Sequence, residues 1–266
     1  MKKIIALLMI FVMLFCFAAC GESGEKKDDS KPASKSDVEY IQDKGKLVVG
    51  ITDYEPMNYK DDKGEWTGFD TEFAIAVAKE LGVEVEFVVI EWDNKWPTLN
   101  SKKIDAVWNG MTLSGEAENN ASCSNPYVLN AQVVVMKKDK VENYETAESM
   151  SKLNFAVEAG SAGKKIAEEN KFNFKEYPAQ SDAVTAVKTG KADACIIDIT
   201  MAKAMTGEGT SYEDLAIGIS LSEEEYAIAC RKNSDLTAKI NEIMAKFKED
   251  GTLTALAEKY KLTLAE

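Results

Sequence analysis

The sequence predicts an α/β protein built from two similar lobes. Three observations lead to this fold class. Short apolar runs rich in β-branched residues alternate with helical segments from about residue 46 onward, the pattern of parallel sheets covered by helices. The same pattern begins again near residue 153, so a second unit follows the first. A composition of 45% hydrophobic and 29% charged residues is that of an ordinary globular protein.

The N-terminal residues have the features of a secretory signal of lipoprotein type. Two lysines precede an apolar run over 4–17, which ends in small residues around Cys20. The run is shorter than the roughly 20 residues that span a bilayer, and small residues at its end are what a signal peptidase recognises. We predict a signal peptide over 1–19 and a lipidated Cys20 that anchors the protein outside the cell membrane. An ordinary secreted signal or an uncleaved anchor is the alternative, because Phe17 stands where Leu is usual.

Residues 20–37 are predicted to form a flexible linker after the lipidated cysteine. Lys, Asp, Glu, Ser and Gly dominate the segment, and from residue 22 it holds no apolar residue larger than Ala33. It therefore buries too little surface to offset the entropy of ordering. The remaining chain has the length of one large domain or two small ones.

The two units are predicted from hydrophobic periodicity and from helix stop signals. A helix is expected over 69–82, because Phe73, Val77 and Leu81 share one face and Gly82 ends it. The other predicted elements of the first unit are strands at 46–51, 83–90, 104–108 and 131–137 and a short helix at 96–101. In the second unit we expect strands at 153–158, 174–177 and 194–199 and helices at 163–170 and 181–189.

The composition argues against several classes of function. The net charge of −13 disfavours nucleic-acid binding, which needs clustered Lys and Arg. The chain has no histidine and no CxxC motif, so we predict no metal site, no cofactor and no catalytic residue. Cys195 and Cys230 lie in apolar runs and are expected to be buried and inert, and Cys123 completes the three cysteines after Cys20.

Two turns repeat the same short pattern, KKIDA at 102–106 and GKADA at 190–194. Each closes a predicted helix and opens a predicted strand through a basic turn and an aspartate. Because aspartate commonly bonds to nearby turn backbone, we expect Asp105 and Asp193 to cap these turns.

Eight short strings in order give the chain a family resemblance. They are GKLVVG (45–50), WTGFD (66–70), WD (92–93), KIDA (103–106), SNPY (124–127), GS (160–161), KADA (191–194) and EDGTL (249–253). In this order they resemble the family 3 extracytoplasmic solute-binding proteins, the polar amino-acid receptors of ABC importers. Each string is weak alone, but together they cover the mature chain.

The resemblance implies a two-lobe, periplasmic-binding-protein-like fold of type II, with two crossover hinge strands and a ligand cleft between the lobes. Lobe 1 would comprise 38–131 and 226–266, and lobe 2 would comprise 132–225. The crossovers would lie near 130–135 and 225–228, and helices at 236–249 and 253–260 would return to lobe 1. Open α/β sheets bind ligands at the carboxyl ends of their strands, and hinge closure is the expected motion.

The resemblance also implies which residues of the first lobe meet the ligand. Tyr54 and Trp92 match the aromatic positions that sandwich it, and flat rings offer contact area and an attraction for cations. Core packing is the alternative for both rings. Asn109, Gly110 and Thr112 fall where backbone and hydroxyl groups would meet the amino and carboxyl groups of the ligand.

From the second lobe, Ser161 and Ala162 belong to a Gly-rich helix start over 160–163, whose free N–H groups form an anion cradle. A plain helix start is the alternative. Asp198 ends a predicted strand and matches the acidic residue that receives the ligand's α-ammonium. A buried carboxylate needs donors or a counter-charge, and no nearby lysine supplies one in the sequence pattern.

The chain departs from the family at Ala117, where members usually carry an arginine that clamps the ligand's α-carboxylate. Either the 160–163 amides with Ser161 and Thr112 hold a carboxylate alone, or the ligand is not a standard α-amino acid. Glu158 precedes that loop, and an acidic group there would favour a ligand with extra positive charge.

The leading hypothesis is a monomeric receptor that binds an amino acid or a related amine and delivers it to an ABC permease and ATPase, with the lipid as its only membrane contact. An enzyme on the same fold, such as a cyclohexadienyl dehydratase-like protein, is the second class, since fold does not dictate function. Its chemistry needs a positioned acid and carboxylate anchors, which a cleft without arginine or histidine supplies poorly. A ligand-sensing module for a membrane partner is the third.

Overall fold

A computed structural model describes residues 36–266. The helices are α1 (Asp37–Lys44), α2 (Phe69–Leu81), α3 (Lys95–Asn100), α4 (Gly115–Asn120), α5 (Ala162–Glu169), α6 (Gln180–Lys188), α7 (Ile199–Met205), α8 (Leu236–Glu249) and α9 (Thr252–Tyr260). The strands are β1 (Lys46–Ile51), β2 (Tyr59–Lys60), β3 (Trp66–Thr67), β4 (Glu84–Val89), β5 (Ala106–Val107), β6 (Ser122–Cys123), β7 (Val128–Lys137), β8 (Asn154–Glu158), β9 (Asn173–Tyr177), β10 (Ala194–Asp198), β11 (Leu215–Tyr226) and β12 (Ala229–Cys230).

The first lobe is built on a five-stranded sheet with the order β4-β1-β5-β12-β6. Strand β1 pairs in parallel with β4 and β5, and helix α2 packs on β1 and β4. Helix α2 ends at Gly82, whose φ of 74° is a left-handed conformation that glycine adopts without strain. Helices α8 and α9 contact α2, so the C-terminal part of the chain completes this lobe.

The second lobe is built on a five-stranded sheet with the order β11-β7-β10-β8-β9. Strand β7 is antiparallel to both β10 and β11, whereas β8 is parallel to β9 and β10. The parallel pairing that the alternating pattern favoured is therefore present but mixed with antiparallel pairs. Strand β7 leads into this sheet and β11 leads back out of it, so the two neighbouring strands must run in opposite directions.

The two-lobe α/β fold predicted from the sequence is confirmed, with three local corrections. Helix α1 begins at Asp37, which we had assigned to the linker, because the Ser36 hydroxyl caps it by accepting from the Glu39 N–H at 3.1 Å. Ile199 begins α7 and does not end the preceding strand. Of the long strand β11, only the C-terminal end near residue 225 was expected, as a crossover. The domain boundaries at 131/132 and 225/226 stay a prediction.

The predicted signal peptide, Cys20 and nearly all of the predicted linker lie outside the described residues. Between residues 36 and 266, no helix has both the length and the apolar character that a membrane crossing requires.

Asp105 does not merely cap a turn; it is the fully buried centre of an ion-pair cluster. Its carboxylate accepts from Arg231 Nη2 at 3.1 Å, from Lys44 Nζ at 2.5 Å and from the Val48 N–H at 2.9 Å. Arg231 also donates to Asp37 at 3.1 Å, so the single arginine of the chain ties α1 to the first lobe. The turn-cap prediction overlooked that a buried carboxylate needs cationic partners.

Asp193 does not cap its own turn through its side chain either, because its partner lies on the neighbouring strand β8. It is exposed, and its carboxylate accepts from the Asn154 N–H at 2.8 Å. Cys195 and Cys230 are free and fully buried. The expected burial is confirmed, and it raises the pKa of both thiols, that of Cys230 to about 12, which disfavours the reactive thiolate.

Candidate functional site

One cavity between the two lobes is lined by all ten residues that the sequence predicted as ligand-binding. The volume within it that the centre of a water molecule can occupy is about 70 Å³. Those residues are Tyr54, Trp92, Asn109, Gly110, Thr112, Ala117, Glu158, Ser161, Ala162 and Asp198. Eight further residues line it: Lys95, Trp96, Met111, Ser114, Glu116, Gly160, Lys165 and Gln180. The sequence reasoning therefore selected residues that the fold brings together.

Asp198 lies at the last position of β10, with only 3% of its surface exposed. Its carboxylate accepts hydrogen bonds from the side-chain amides of Asn130, Gln132 (2.7 Å) and Gln180. No lysine or arginine of the described residues lies within ion-pair distance of it. Burial, and next the charge of Glu224, raise the pKa of Asp198. The carboxylate is thus held in place by neutral donors but has no counter-charge from the protein.

Glu158 ends β8 and is equally buried, with 3% of its surface exposed. Burial raises the pKa of Glu158 to about 8, and the charge of Asp198 adds to this effect, while Lys95 and a hydrogen bond with Gln180 oppose it. Gln180 therefore interacts with both carboxyl groups. Gln180 begins α6, and nothing in the pattern of that helix distinguishes it from an ordinary polar residue at a helix start, so the sequence reasoning did not select it.

The ring of Tyr54 is buried, and its hydroxyl belongs to a small cluster that joins the lobes. It shares a hydrogen bond of 2.6 Å with the Thr200 hydroxyl on α7 and another with the Tyr226 hydroxyl at the end of β11. The Thr200 and Tyr226 hydroxyls are also 2.9 Å apart. Tyr54 therefore combines the two roles weighed for it, as part of the core and as a wall of the cavity.

Three predicted residues of the first lobe use their polar groups within the protein. Asn109 exchanges hydrogen bonds with Thr52, at 2.6 Å to the hydroxyl and 3.1 Å to the carbonyl. The Gly110 N–H donates to the buried Asp70 carboxylate at 2.6 Å. The Thr112 hydroxyl donates to Glu224 at 3.0 Å. These contacts hold the cavity wall in shape, so any ligand bond to these groups must share or replace them.

Helix α5 begins at the cavity as predicted, with Ser161 as its cap. The Ser161 hydroxyl accepts from the Lys164 N–H at 3.1 Å and donates to the Glu158 carbonyl at 2.8 Å. The preceding Gly160 has a φ of 68°, and a Cβ atom there would lie 2.7 Å from Asp93 Cα of the other lobe. Only glycine permits this close approach of the two backbones.

Ala117 lies on α4, is almost fully buried and lines the cavity, so this position brings a methyl group and no cation to the site. A lysine of helix α3, Lys95, lines the cavity instead. Lys95 begins α3, directly after the turn that carries Trp92. The sequence reasoning missed Lys95, because a lysine at a helix start usually lies in solvent. Trp92 and Trp96, four positions apart on either side of Lys95, were the signal that could have identified a lysine packed between aromatic rings.

Comparison with known proteins gives a consistent result. The profile of the bacterial extracellular solute-binding proteins, family 3, matches residues 47–263. The L-cystine-binding protein TcyJ of Escherichia coli (strain K12) is 31% identical over 225 residues, which cover 83% of this chain and 84% of TcyJ. The ABC transporter glutamine-binding protein GlnH of Bacillus subtilis (strain 168) is 31% identical over 270 residues, which cover 98% of this chain and 97% of GlnH.

Two solved structures share the fold. A mutant of ArgBP from T. maritima superposes with a TM-score of 0.79 at 32% identity, covering 84% of this chain and 98% of ArgBP. The ancestral amino acid-binding protein AncCDT-1, a precursor of cyclohexadienyl dehydratase, gives 0.78 at 33% identity, covering 85% of this chain and 99% of its own. With a family profile that spans nearly the whole described region, the chain belongs to the bacterial extracellular solute-binding proteins, family 3.

Proposed function

We propose that this protein is the extracytoplasmic receptor of an ABC importer and that it binds an amino acid in the cavity between its lobes. The observation that carries the proposal is Asp198, a buried carboxylate with three amide donors and no protein cation. A ligand ammonium would supply the missing positive charge, since a buried charge is stable only when it is paired. Trp92, whose ring is also part of the cavity wall, offers an aromatic surface to the same ligand.

The relatives support a binding role over an enzymatic one. TcyJ and GlnH are amino-acid-binding proteins, and ArgBP has the same fold. AncCDT-1 is a precursor of cyclohexadienyl dehydratase, so the similarity to it is the one finding that favours the dehydratase-like alternative. AncCDT-1 itself, however, is an amino acid-binding protein. Within the described residues, the cavity wall offers two lysines and no histidine or arginine. Because buried carboxyl groups such as Glu158 and Asp198 can also serve as general acids, the named relatives, and not the composition of the cavity, are what favours binding.

A ligand screen tests the proposal. Purified protein is titrated with the standard L-amino acids, cystine and common amines, and thermal unfolding is followed at each concentration. A ligand present at 100 times its dissociation constant should stabilise the protein by about 2.7 kcal/mol. Isothermal titration of each hit then gives its affinity. If no amino acid or amine shifts the unfolding temperature, the proposed function is wrong.

We further propose that the mature protein begins at Cys20, carries lipid on that thiol and works as a monomer beside a permease and an ATPase. One acyl chain alone binds a membrane weakly, so stable anchoring requires more than one. Replacing Cys20 by serine should release the protein from the membrane fraction or leave it unprocessed. Mass spectrometry that finds an unmodified mature N-terminus at another residue would overturn the anchor.

A further inference from the structure

Lys95 is a buried cation whose positive charge is not matched by a carboxylate. Only 5% of its surface is exposed, and its ammonium donates to the Trp92 carbonyl at 3.2 Å and to the Gly160 carbonyl at 2.9 Å. Among the described residues no carboxylate oxygen lies within 4.0 Å of Lys95 Nζ. An ammonium has three donors, so one of them is not accounted for by these carbonyls.

The surroundings of Lys95 keep its side chain in one position. The ammonium lies 4.8 Å from the centre of the Trp92 ring and 5.2 Å from that of Trp96. Its two carbonyl partners come from different lobes, since Trp92 precedes α3 and Gly160 precedes α5. A lysine fixed in this way is preorganised, and little side-chain entropy remains to be lost when an anion binds.

A hydrogen bond beside the cavity joins helix α3 to helix α4. Trp96 Nε1 donates to Glu116 Oε1 at 2.8 Å, which joins the neighbour of Lys95 to the neighbour of Ala117. Lys95 and Ala117 line the same cavity. Lys95 therefore brings a buried ammonium to the part of the cavity where position 117 supplies only a methyl group.

We infer that Lys95 binds the α-carboxylate of the ligand, and that the ligand is an α-amino acid with a free carboxylate and not a simple amine. The inference rests on the proposed function, in which Asp198 receives the α-ammonium. A cavity with a buried cation from one lobe and a buried carboxylate from the other matches the two charges of a zwitterion. Binding to both would also link the lobes through the ligand.

The energetic cost of the buried ammonium agrees with this assignment. Burial lowers the pKa of Lys95, while Glu116, Glu158 and Asp93 oppose that effect from a distance. A carboxylate in direct contact would stabilise the charged form further. Lys165, the other lysine at the cavity, is a weaker candidate because it is exposed and lies 3.8 Å from Glu169.

The test compares amino acids with the amines that lack only the carboxylate. The pairs are arginine with agmatine, histidine with histamine, lysine with cadaverine, glutamine with 4-aminobutanamide and cystine with cystamine. By isothermal titration, the parent protein should bind the amino acid of at least one pair more than tenfold tighter than its amine. Lys95→Met should weaken that amino acid by roughly 10- to 150-fold, the range for a hydrogen bond between charged groups, and should not weaken the amine.

Lys164→Met is the matched control, because Lys164 precedes Lys165 on the same helix but pairs with Glu176 at 3.2 Å outside the cavity; its affinity should equal that of the parent. Lys95→Arg retains the charge and should bind within tenfold of the parent. If Lys95→Met does not fold, the inference is tested by the ratio of the parent's affinities for each amino acid and its amine. A ratio below ten, or full affinity of a folded Lys95→Met, overturns the inference. Failure of every probe to bind the parent overturns the proposed function instead.

Discussion

Replacing Asp198 by asparagine tests the ligand site while keeping the shape of the side chain. The carboxylate accepts from three amides, from Asn130, Gln132 and Gln180. An asparagine oxygen still accepts from some of them, but the charge that would face a ligand ammonium is lost. A hydrogen bond to a charged group contributes about 1.5–3 kcal/mol, so affinity should fall roughly 10- to 150-fold.

The same substitution should change the stability of the protein only slightly. The side-chain NH₂ group of the new asparagine faces an amide N–H donor of a neighbouring residue. A buried polar group left unpaired in this way costs about 1–3 kcal/mol. Burial raises the pKa of Asp198, so removing an ionised carboxylate at neutral pH offsets much of that cost. We expect a net change within about 1 kcal/mol. Asp198→Ala also removes this acceptor, but the amides of Asn130 and Gln132 still donate to Glu224, so its loss of stability should likewise be modest.

Isothermal titration measures the affinity, and urea unfolding measures the stability of the same samples. Asp193→Asn is the matched control, because Asp193 undergoes the same chemical change but is exposed and bonds to Asn154; its affinity should not change. If Asp198→Asn binds the ligand as tightly as the parent protein, the ammonium does not bind at Asp198, and the placement of the ligand must be redone.

Three further substitutions test other parts of the structure. Arg231→Met removes one partner of the buried Asp105 and should lower the free energy of unfolding by about 3–5 kcal/mol, with no change in ligand affinity; a loss of affinity alone would contradict the structural role. Glu158→Gln tests pH dependence: a pKa of about 8 against the usual 4.5 means that the folded protein binds more protons than the unfolded one, so parent stability falls as pH rises across this window. At about 1.4 kcal/mol per pH unit, the stability of the variant relative to the parent should rise by up to about 5 kcal/mol between pH 4 and pH 9. Parent and variant stabilities that change with pH in the same way would refute this. Ala117→Arg should weaken the binding of decarboxylated amines roughly tenfold or more by charge repulsion while α-amino acids still bind; equal retention of both classes would count against a cation-sensitive cavity.

The sequence was most informative where a local signal determines the structure. Helix α2 ends at Gly82 as its pattern indicated. Asp198 reaches the cavity because a residue at the carboxyl end of a sheet strand must lie at that edge. Both conclusions require only the strand or helix in which the residue stands.

Features that depend on distant parts of the chain were not predicted. Strand β11 is defined by its antiparallel pairing with β7, which no local pattern specifies. The partners of Asp105 come from α1 and from the region after β12, so its burial could not be inferred from its turn motif. The surroundings that bury Lys95 include the Gly160 carbonyl of the other lobe, 2.9 Å from its ammonium, and this contact cannot be read from the sequence around Lys95.

The close approach of Gly160 and Asp93 links the contact between the lobes to the position of a buried cation. A side chain at position 160 would meet the opposite backbone at 2.7 Å and would hold the lobes apart. The Gly160 carbonyl also accepts from the Lys95 ammonium at 2.9 Å, so the same side chain would displace one of the two carbonyls that hold Lys95. Position 160 therefore governs both how closely the lobes meet and where Lys95 lies, and a receptor of this design could not adjust one without the other.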